Sequence, residues 1–464
     1  MNFIRVFDNV FWEDEGFTIR LAKMSVVDMI NATANDVHPP LYYLFVQFLY
    51  RIFGDNGITY HLSGFLPYFF IIVISCTIIK KEFSNIPAVV VITMSSLMKN
   101  AVRYNVEARM YSLGALFIFI SFFSFYKVIK KNELISWFVF VASSLGAAYT
   151  HYYALISVAF FYIMLLPKAK NSKKYLTKTI ISYFVTFIAY IPWLIFLLKS
   201  FKRTADSWWL NEIPTINECI DFLLDYKWLA VGTLIVITFF VLYDLGLMKI
   251  EYSKKEKFFE RFNFVFSITE KVVITPEIYW VISGIISFLG TIAVGLTLSY
   301  MVRPFFVVRY LFPLSAVLYL IIGYCVSKMN FKKIWSIVLI LAILWNNIPV
   351  YINIYKAESY LDRQTTIFLS NVKPAEDAVL LTNNPHLSWT LLEYYYPEND
   401  IEYVEELSSI NNSDYDDAWI FWTEEIDEYT ANSFREEHYQ FEEIYEGLSS
   451  DGLNCFVYNI RRNK

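Results

Sequence analysis

Apolar runs of bilayer-spanning length recur through most of the 464-residue chain, and no other feature restricts its fold as much. A hydrocarbon core of about 30 Å takes roughly 20 apolar helical residues, and a helix satisfies its own backbone polar groups there. Ten spans are expected, at residues 60–79, 86–98, 110–129, 134–149, 153–166, 176–198, 228–248, 272–300, 310–326 and 334–354. Several are shorter than the ideal, so their ends are loosely fixed. Composition agrees, with 56% hydrophobic, 19% aromatic and only 18% charged residues. The expected fold class is an all-α polytopic membrane protein with a small C-terminal soluble α/β domain.

Charge divides the chain. From Ala357 onward 23 acidic residues face 6 basic ones, which leaves 21 acidic and 33 basic residues upstream. The basic loops "KKEFSN", "KVIKKNE", "PKAKNSKKYLTK", "KIEYSKKEKFFERF" and "SKMNFKK" follow every second span, which marks them as cytoplasmic. The alternate loops and the acidic tail then face outward. Three regions are expected: an outer catalytic loop with an interfacial helix at 1–59, a multi-span domain at 60–355, and an acidic extracytoplasmic α/β domain at 356–464. The helix at Leu41 to Phe53 is apolar but short, and loop parity places it in the outer interface. Residues 1–11 are too short and too polar for a signal anchor, so a transmembrane helix upstream of this sequence is expected.

On the outer side, "FWEDEGF" sets Glu13, Asp14 and Glu15 beside Phe11 and Trp12. A solvated interfacial loop explains this about as well as a carboxylate poised over a membrane substrate as general base. "NDVHPPLYY" holds Asp36 and His38 ahead of a Pro-Pro helix start, where free N–H groups favour an anion. "YNVEARMYSL" supplies Glu107 and Arg109, and "YTHYY" supplies His151. A helix-end salt bridge and an aromatic belt are the plain alternatives; ionisable groups at membrane depth point to function. Arg303 and Arg309 in "MVRPFFVVRYLFP" run against the inside bias, and a phosphate paired with guanidinium would explain them. "DSWWLNEIPT" has the character of an interfacial element anchored by Trp208 and Trp209. Cys76, Cys219, Cys325 and Cys455 are dispersed, without disulfide framework or metal pairing. No Gly-rich phosphate loop or nucleic-acid signature is present, and neither a metal nor another cofactor is expected.

Six segments in order, "WEDE", "DVHPPLYY", "EARMYSL", "YTHYY", "WWLNEIPT" and "RPFFVVRYLFPL", resemble integral-membrane glycosyltransferases of the protein-mannosyltransferase and aminoarabinose-transferase type, with the GT-C fold. The resemblance implies transfer of a hexose or pentose, with inversion, from a polyprenyl-phosphate carrier to a protein, lipid or glycan hydroxyl on the outer side of the membrane. It implies catalysis by Asp14, with Glu15 beside it, and a donor or acceptor role for Asp36 and His38. Glu107, Arg109, His151, Arg303 and Arg309 extend the substrate-binding set by side and charge. The alternative is a transporter or flippase of lipid-linked sugars, but no repeated half of the kind transporters show is found. The Asn, Ile, Lys and Phe bias suggests an AT-rich prokaryote, hence an undecaprenyl carrier and a bacterial plasma membrane.

In the tail, Ala378–Thr382, Ala418–Trp422, Phe441–Gly447 and Cys455–Ile460 have strand character, with helices in "HLSWTLLEYYY" and "EIDEYTANSFREEH". A two- or three-layer sandwich follows. Acceptor recognition and simple packing on the outer face both fit this domain.

Overall fold

A computed structural model describes residues 2–8, 10–170, 172–206, 210–245, 247–252, 262–266, 274–329, 332–383, 392–407, 410, 415–436, 439–448 and 454–462. Three helices precede the bundle: α1 (Glu13–Lys23), α2 (Val26–Ala34) and α3 (Leu41–Phe53). The bundle itself runs α4 (Gly57–Glu82), α5 (Asn85–Leu97), the short α6 (Lys99–Tyr104), α7 (Tyr111–Lys131), α8 (Leu134–Ala148), α9 (Tyr152–Ala169), α10 (Lys173–Asp206), α11 (Ile216–Leu224), α12 (Lys227–Asp244), α13 (Pro276–Met301), α14 (Ser315–Lys328) and α15 (Lys332–Asn371). Among the described residues, eight helical segments are long and apolar enough to cross a membrane. Two of the ten expected spans, α5 and α8, are shorter apolar helices. The segment Val308–Lys328, a 3₁₀ turn leading into α14, is the bundle's central post, since its apolar window is wholly buried.

Side chains at the two ends of the bundle differ in kind. At one end Lys127 pairs with Glu82, and Lys130 lies 3.1 Å from Glu277, tying α4, α7 and α13. A hairpin of β1 (Met248–Tyr252) and β2 (Phe262–Phe266) follows α12 at this end. At the opposite end lie α1 to α3, the 105–110 loop, the 302–307 loop and the tail. The short helix α3 buries Tyr42, Tyr43, Val46 and Leu49 and exposes Phe48, Ile52 and Phe53, an amphipathic pattern. Gln47 on its inner face donates to the carbonyls of Leu21 (3.1 Å) and Met24 (3.0 Å), which fixes the end of α1.

The last helix of the bundle, α15, has 40 residues and leaves it without a break. Its far end carries Phe368 into the core of the C-terminal domain, so one continuous helix joins that domain to the bundle. That domain holds a five-stranded sheet ordered β4-β3-β5-β7-β6, from β3 (Val379–Thr382), β4 (Ile401–Tyr403), β5 (Asp417–Trp422), β6 (Tyr439–Leu448) and β7 (Asn454–Arg462). β3 is parallel to β4 and β5, while β7 is antiparallel to β5 and β6. Strand alternation splits the core into two faces. Leu380, Trp419, Phe421 and Val457 pack with Phe368 on one, and Leu381, Ile420, Trp422 and Tyr458 pack with Phe434 on the other. The sheet is therefore covered by α15 on one side and by α17 (Glu428–Glu436) on the other, the three-layer option. A single turn, α16 (Leu392–Tyr395), is all that is described of the helix expected over 386–396. The four expected strands are present; β4, only three residues long, has no period to reveal it.

Close packing of α4 against the 105–110 loop depends on Gly64. A Cβ there would stand 2.3 Å from the Glu107 carbonyl oxygen and 2.9 Å from the Val106 carbonyl carbon, both backbone atoms. Gly64→Ala is therefore expected to cost about 1–3 kcal/mol by overpacking and to lower the melting temperature in detergent. Gly232→Ala, inside α12 with nothing within 4 Å of the added Cβ, is the control and should leave melting unchanged or raise it slightly.

Candidate active site

The site begins where α1 begins. Glu15, in the first turn of α1, reaches back to accept the Trp12 N–H at 3.2 Å, as the acid of a capping box does. The same oxygen accepts from the Arg5 guanidinium at 3.0 Å, and the other accepts the Ala108 N–H at 2.7 Å. Glu15 is fully buried and both its oxygens are bonded. It joins three pieces of chain: the N-terminal segment, the start of α1 and the 105–110 loop. Arg5 is itself anchored 3.8 Å from Glu358 on α15.

This knot sets the neighbouring residue, Asp14, against two arginines. The Asp14 side chain keeps 25% of its surface exposed. One oxygen lies 3.1 Å from an Arg309 nitrogen and the other 3.8 Å from Arg109, which also donates to the Asp14 backbone carbonyl at 2.9 Å. Arg309 sits in the 3₁₀ turn Val308–Leu314 and stacks its guanidinium over Trp12, 5.2 Å from the ring centre. The Nε atoms of both arginines are buried with no hydrogen-bond partner, as are the hydroxyls of Tyr111 and Tyr153. Such groups are costly unless something accepts or donates to them.

Asp36 and His38 form a second group beside the first. The Asp36 carboxylate lies 2.9 Å from His38 Nδ1, an arrangement that orients an imidazole. Burial alone would raise the Asp36 carboxyl, but His38 beside it outweighs that and holds it below its ordinary value. The helix start that was expected to offer free N–H groups is partly used, because Leu41 N–H donates to the Tyr149 carbonyl at 3.1 Å. His38 and His151 face each other with ring centres 6.0 Å apart, and His151 lies 5.0 Å from the Tyr310 ring. Burial, with the nearby His38, Arg109 and Arg309, holds His151 well below the ordinary imidazole value, hence neutral. Its Nδ1 accepts the Tyr153 N–H at 3.2 Å and caps α9.

Glu107 lies behind this surface, 1% exposed, with one carboxylate oxygen unpartnered. Burial, followed by Glu15, pushes its carboxyl up to about 7 in spite of Arg5. Arg303 stands apart: it is half-buried, its Nε lacks a partner, and among the described residues it joins no ion pair with the cluster. Trp208 and Trp209 lie outside the described residues.

Three residues of this region escaped sequence reasoning. Arg5 lay in a stretch taken for a short polar lead-in. Asp8 and His61 are 3.0 Å apart, and His61 Nδ1 donates to the Val106 carbonyl at 3.1 Å. His61 was visible as an ionisable residue at the mouth of a span, the signal used for His151.

With this geometry in view, two comparisons with known proteins bear on the chain. Residues 37–196 match the sequence model of a family described as dolichyl-phosphate-mannose-protein mannosyltransferase. The match takes in Asp36's neighbours from Val37 through His151, but not Trp12 to Glu15 or the arginines at 303 and 309. The crystal structure of ArnT from Cupriavidus metallidurans in the apo state superposes with a TM-score of 0.54 at 9% identity, over 98% of this chain and 95% of that one. No curated protein matches by sequence. The fold is the GT-C fold of integral-membrane glycosyltransferases, as the resemblance implied, in a multi-pass chain with a small C-terminal sheet.

The buried Glu107 carboxyl generates a pH prediction. Its folded value is raised, so its contribution to stability is full below the ordinary value of 4.5 and is lost as pH rises through about 7. Glu107→Gln should therefore raise the melting temperature at pH 8, with the gain shrinking toward pH 5. A melting difference that does not vary with pH would refute the assignment.

Proposed function

We propose that the protein is a membrane glycosyltransferase that takes a sugar from a polyprenyl-phosphate carrier and passes it to an acceptor hydroxyl on the extracytoplasmic side of a plasma membrane. One observation carries this reading: a partly exposed carboxylate, Asp14, held between two arginines whose buried Nε atoms are unpartnered, at the loop end of a GT-C bundle. The family match and the fold support the same class.

In the reaction proposed, the donor phosphate takes the Arg309 and Arg109 guanidiniums, which offer planar, charge-assisted pairs to its oxygens. Asp14 thereby loses part of its counter-charge and takes the proton of the acceptor hydroxyl. The acceptor oxygen bonds to the anomeric carbon as the bond from that carbon to the phosphate oxygen breaks. The electron pair leaves with the polyprenyl phosphate, where the arginines stabilise the charge. One displacement inverts the anomeric configuration.

The other site residues take supporting roles. Glu15 positions Asp14 from below and does not meet substrate. His38, oriented by Asp36, and the neutral His151 line the approach with Tyr111 and Tyr310, where an imidazole nitrogen and phenols can bond sugar hydroxyls. Glu107 supports the loop that carries Arg109, and Arg303 meets the carrier at the rim.

The test uses purified protein in detergent with a panel of radiolabelled polyprenyl-phosphate sugars. Asp14→Asn should lower sugar release or transfer about 10²- to 10⁴-fold with donor binding retained. Turnover within a few-fold of the wild type would refute Asp14 as the base. Donor binding with no turnover by the wild type would favour a carrier of lipid-linked sugars.

A further inference from the structure

The loop over residues 105–110 delivers Arg109 to the reaction centre, and one of the ties that hold it leads to a pair of residues the proposed reaction does not use. Glu15 takes the Ala108 N–H at 2.7 Å, and the Arg109 N–H turns back on the Glu107 carbonyl at 2.7 Å. On α4, His61 is fully buried, and its Nδ1 donates to the Val106 carbonyl at 3.1 Å. Its Nε2 lies 3.0 Å from an Asp8 carboxylate oxygen. The ring is stacked on Phe11, with centres 4.8 Å apart.

Both ring nitrogens and one ring face are therefore engaged. The Val106 carbonyl can only accept, so Nδ1 carries a proton. The other nitrogen meets the carboxylate within ion-pair range but off the line of a hydrogen bond, and that contact is attractive when Nε2 is protonated as well. The resulting imidazolium also lies 3.9 Å from the Glu15 oxygen that holds Ala108. One cation so serves two carboxylates, Asp8 and Glu15. Asp8 is in turn fixed by the Val10 N–H at 3.3 Å.

This arrangement bears on the arginine rather than on the base. The carbonyl held by His61 and the N–H held by Glu15 lie on the two sides of Glu107, so together they set the direction in which the chain continues to Arg109. Arg109 then reaches the Asp14 carbonyl at 2.9 Å. A shift of the Val106 peptide is passed on to that guanidinium, and a displacement of about 1 Å remote from the chemistry can cost on the order of 10²-fold. We infer that His61, held by Asp8, is a positioning residue for the donor phosphate: it fixes the Val106 carbonyl and so aims Arg109. The inference rests on the transferase reading for what Arg109 holds.

Equilibrium binding of polyprenyl phosphate, the carrier without its sugar, to the full chain in detergent tests it. His61→Leu removes both polar contacts, whereas His61→Asn keeps an N–H donor where Nδ1 stands. The dissociation constant should rise about tenfold in His61→Leu, the scale of one lost hydrogen bond to a charged group. His61→Asn should return it to within about threefold of the wild type. Asp8→Ala, nearer the surface, should weaken binding about threefold and keeps the test decisive if His61→Leu fails to fold. In the transfer assay the donor KM should rise with the acceptor KM and kcat little changed; a loss of folded protein alone would lower the rate and leave both KM values in place. Affinity equal to the wild type in His61→Leu and Asp8→Ala, or a loss in His61→Leu that His61→Asn does not recover, would overturn the positioning role. A wild type that binds polyprenyl phosphate with the expected losses in the variants, but transfers no sugar, would instead overturn the transferase reading and leave His61 standing as the residue that aims Arg109.

Discussion

The buried carboxylate of Glu15 is the contact on which the rest of the site depends. One side chain receives Arg5, the Trp12 N–H and the Ala108 N–H, and so ties the N-terminal segment to a loop nearly a hundred residues later. A buried charge is costly unless its partners are complete. Here they are complete, which makes the junction rigid: remove one partner and a charge is stranded in the interior. Asp14 owes its place to this neighbour. Because adjacent residues at a helix start point in different directions, burying Glu15 turns Asp14 toward the arginines.

Charges are layered around that junction in a way that separates support from chemistry. Below it, Arg5 reaches Glu358 on α15, and burial, followed by Glu15, pushes the Glu107 carboxyl up to about 7. Above it, Asp14 and Arg309 keep some exposed surface, and the Nε atoms of the buried Arg109 and of Arg309 have no hydrogen-bond partner. The long helix α15 adds a mechanical link, since the same rod that carries Glu358 enters the core of the C-terminal domain through Phe368. Tyr394 closes the loop by returning from that domain to Phe11.

Much of this was legible in the sequence because a membrane enforces simple rules. Long apolar runs gave the bundle, and alternation of valine, isoleucine and aromatics gave four of the five strands in the tail. Side and charge brought Asp14, Arg109 and Arg309 into one group before any geometry was known. What separated Asp14 from Glu15 was not local: only the fold brings Ala108 and Arg5 to one carboxylate and leaves the other open. Arg5 and Asp8 were hidden for the same reason, since their partners lie far along the chain. Spans α5 and α8 differ from the others in helix length, which hydropathy alone resolves poorly where charged loops are close. Arg303 shared its segment and its charge with Arg309, yet the turn between them sends only Arg309 to Asp14.

The most direct measurement is a structure of the protein with a polyprenyl-phosphate sugar bound, determined by cryo-electron microscopy. The account predicts phosphate oxygens within hydrogen-bond distance of Arg309 and Arg109, with the Asp14–Arg309 pair opened and Asp14 facing the anomeric carbon from the side opposite the phosphate. A phosphate bound elsewhere, with Asp14 still paired to Arg309 and remote from the sugar, would contradict it.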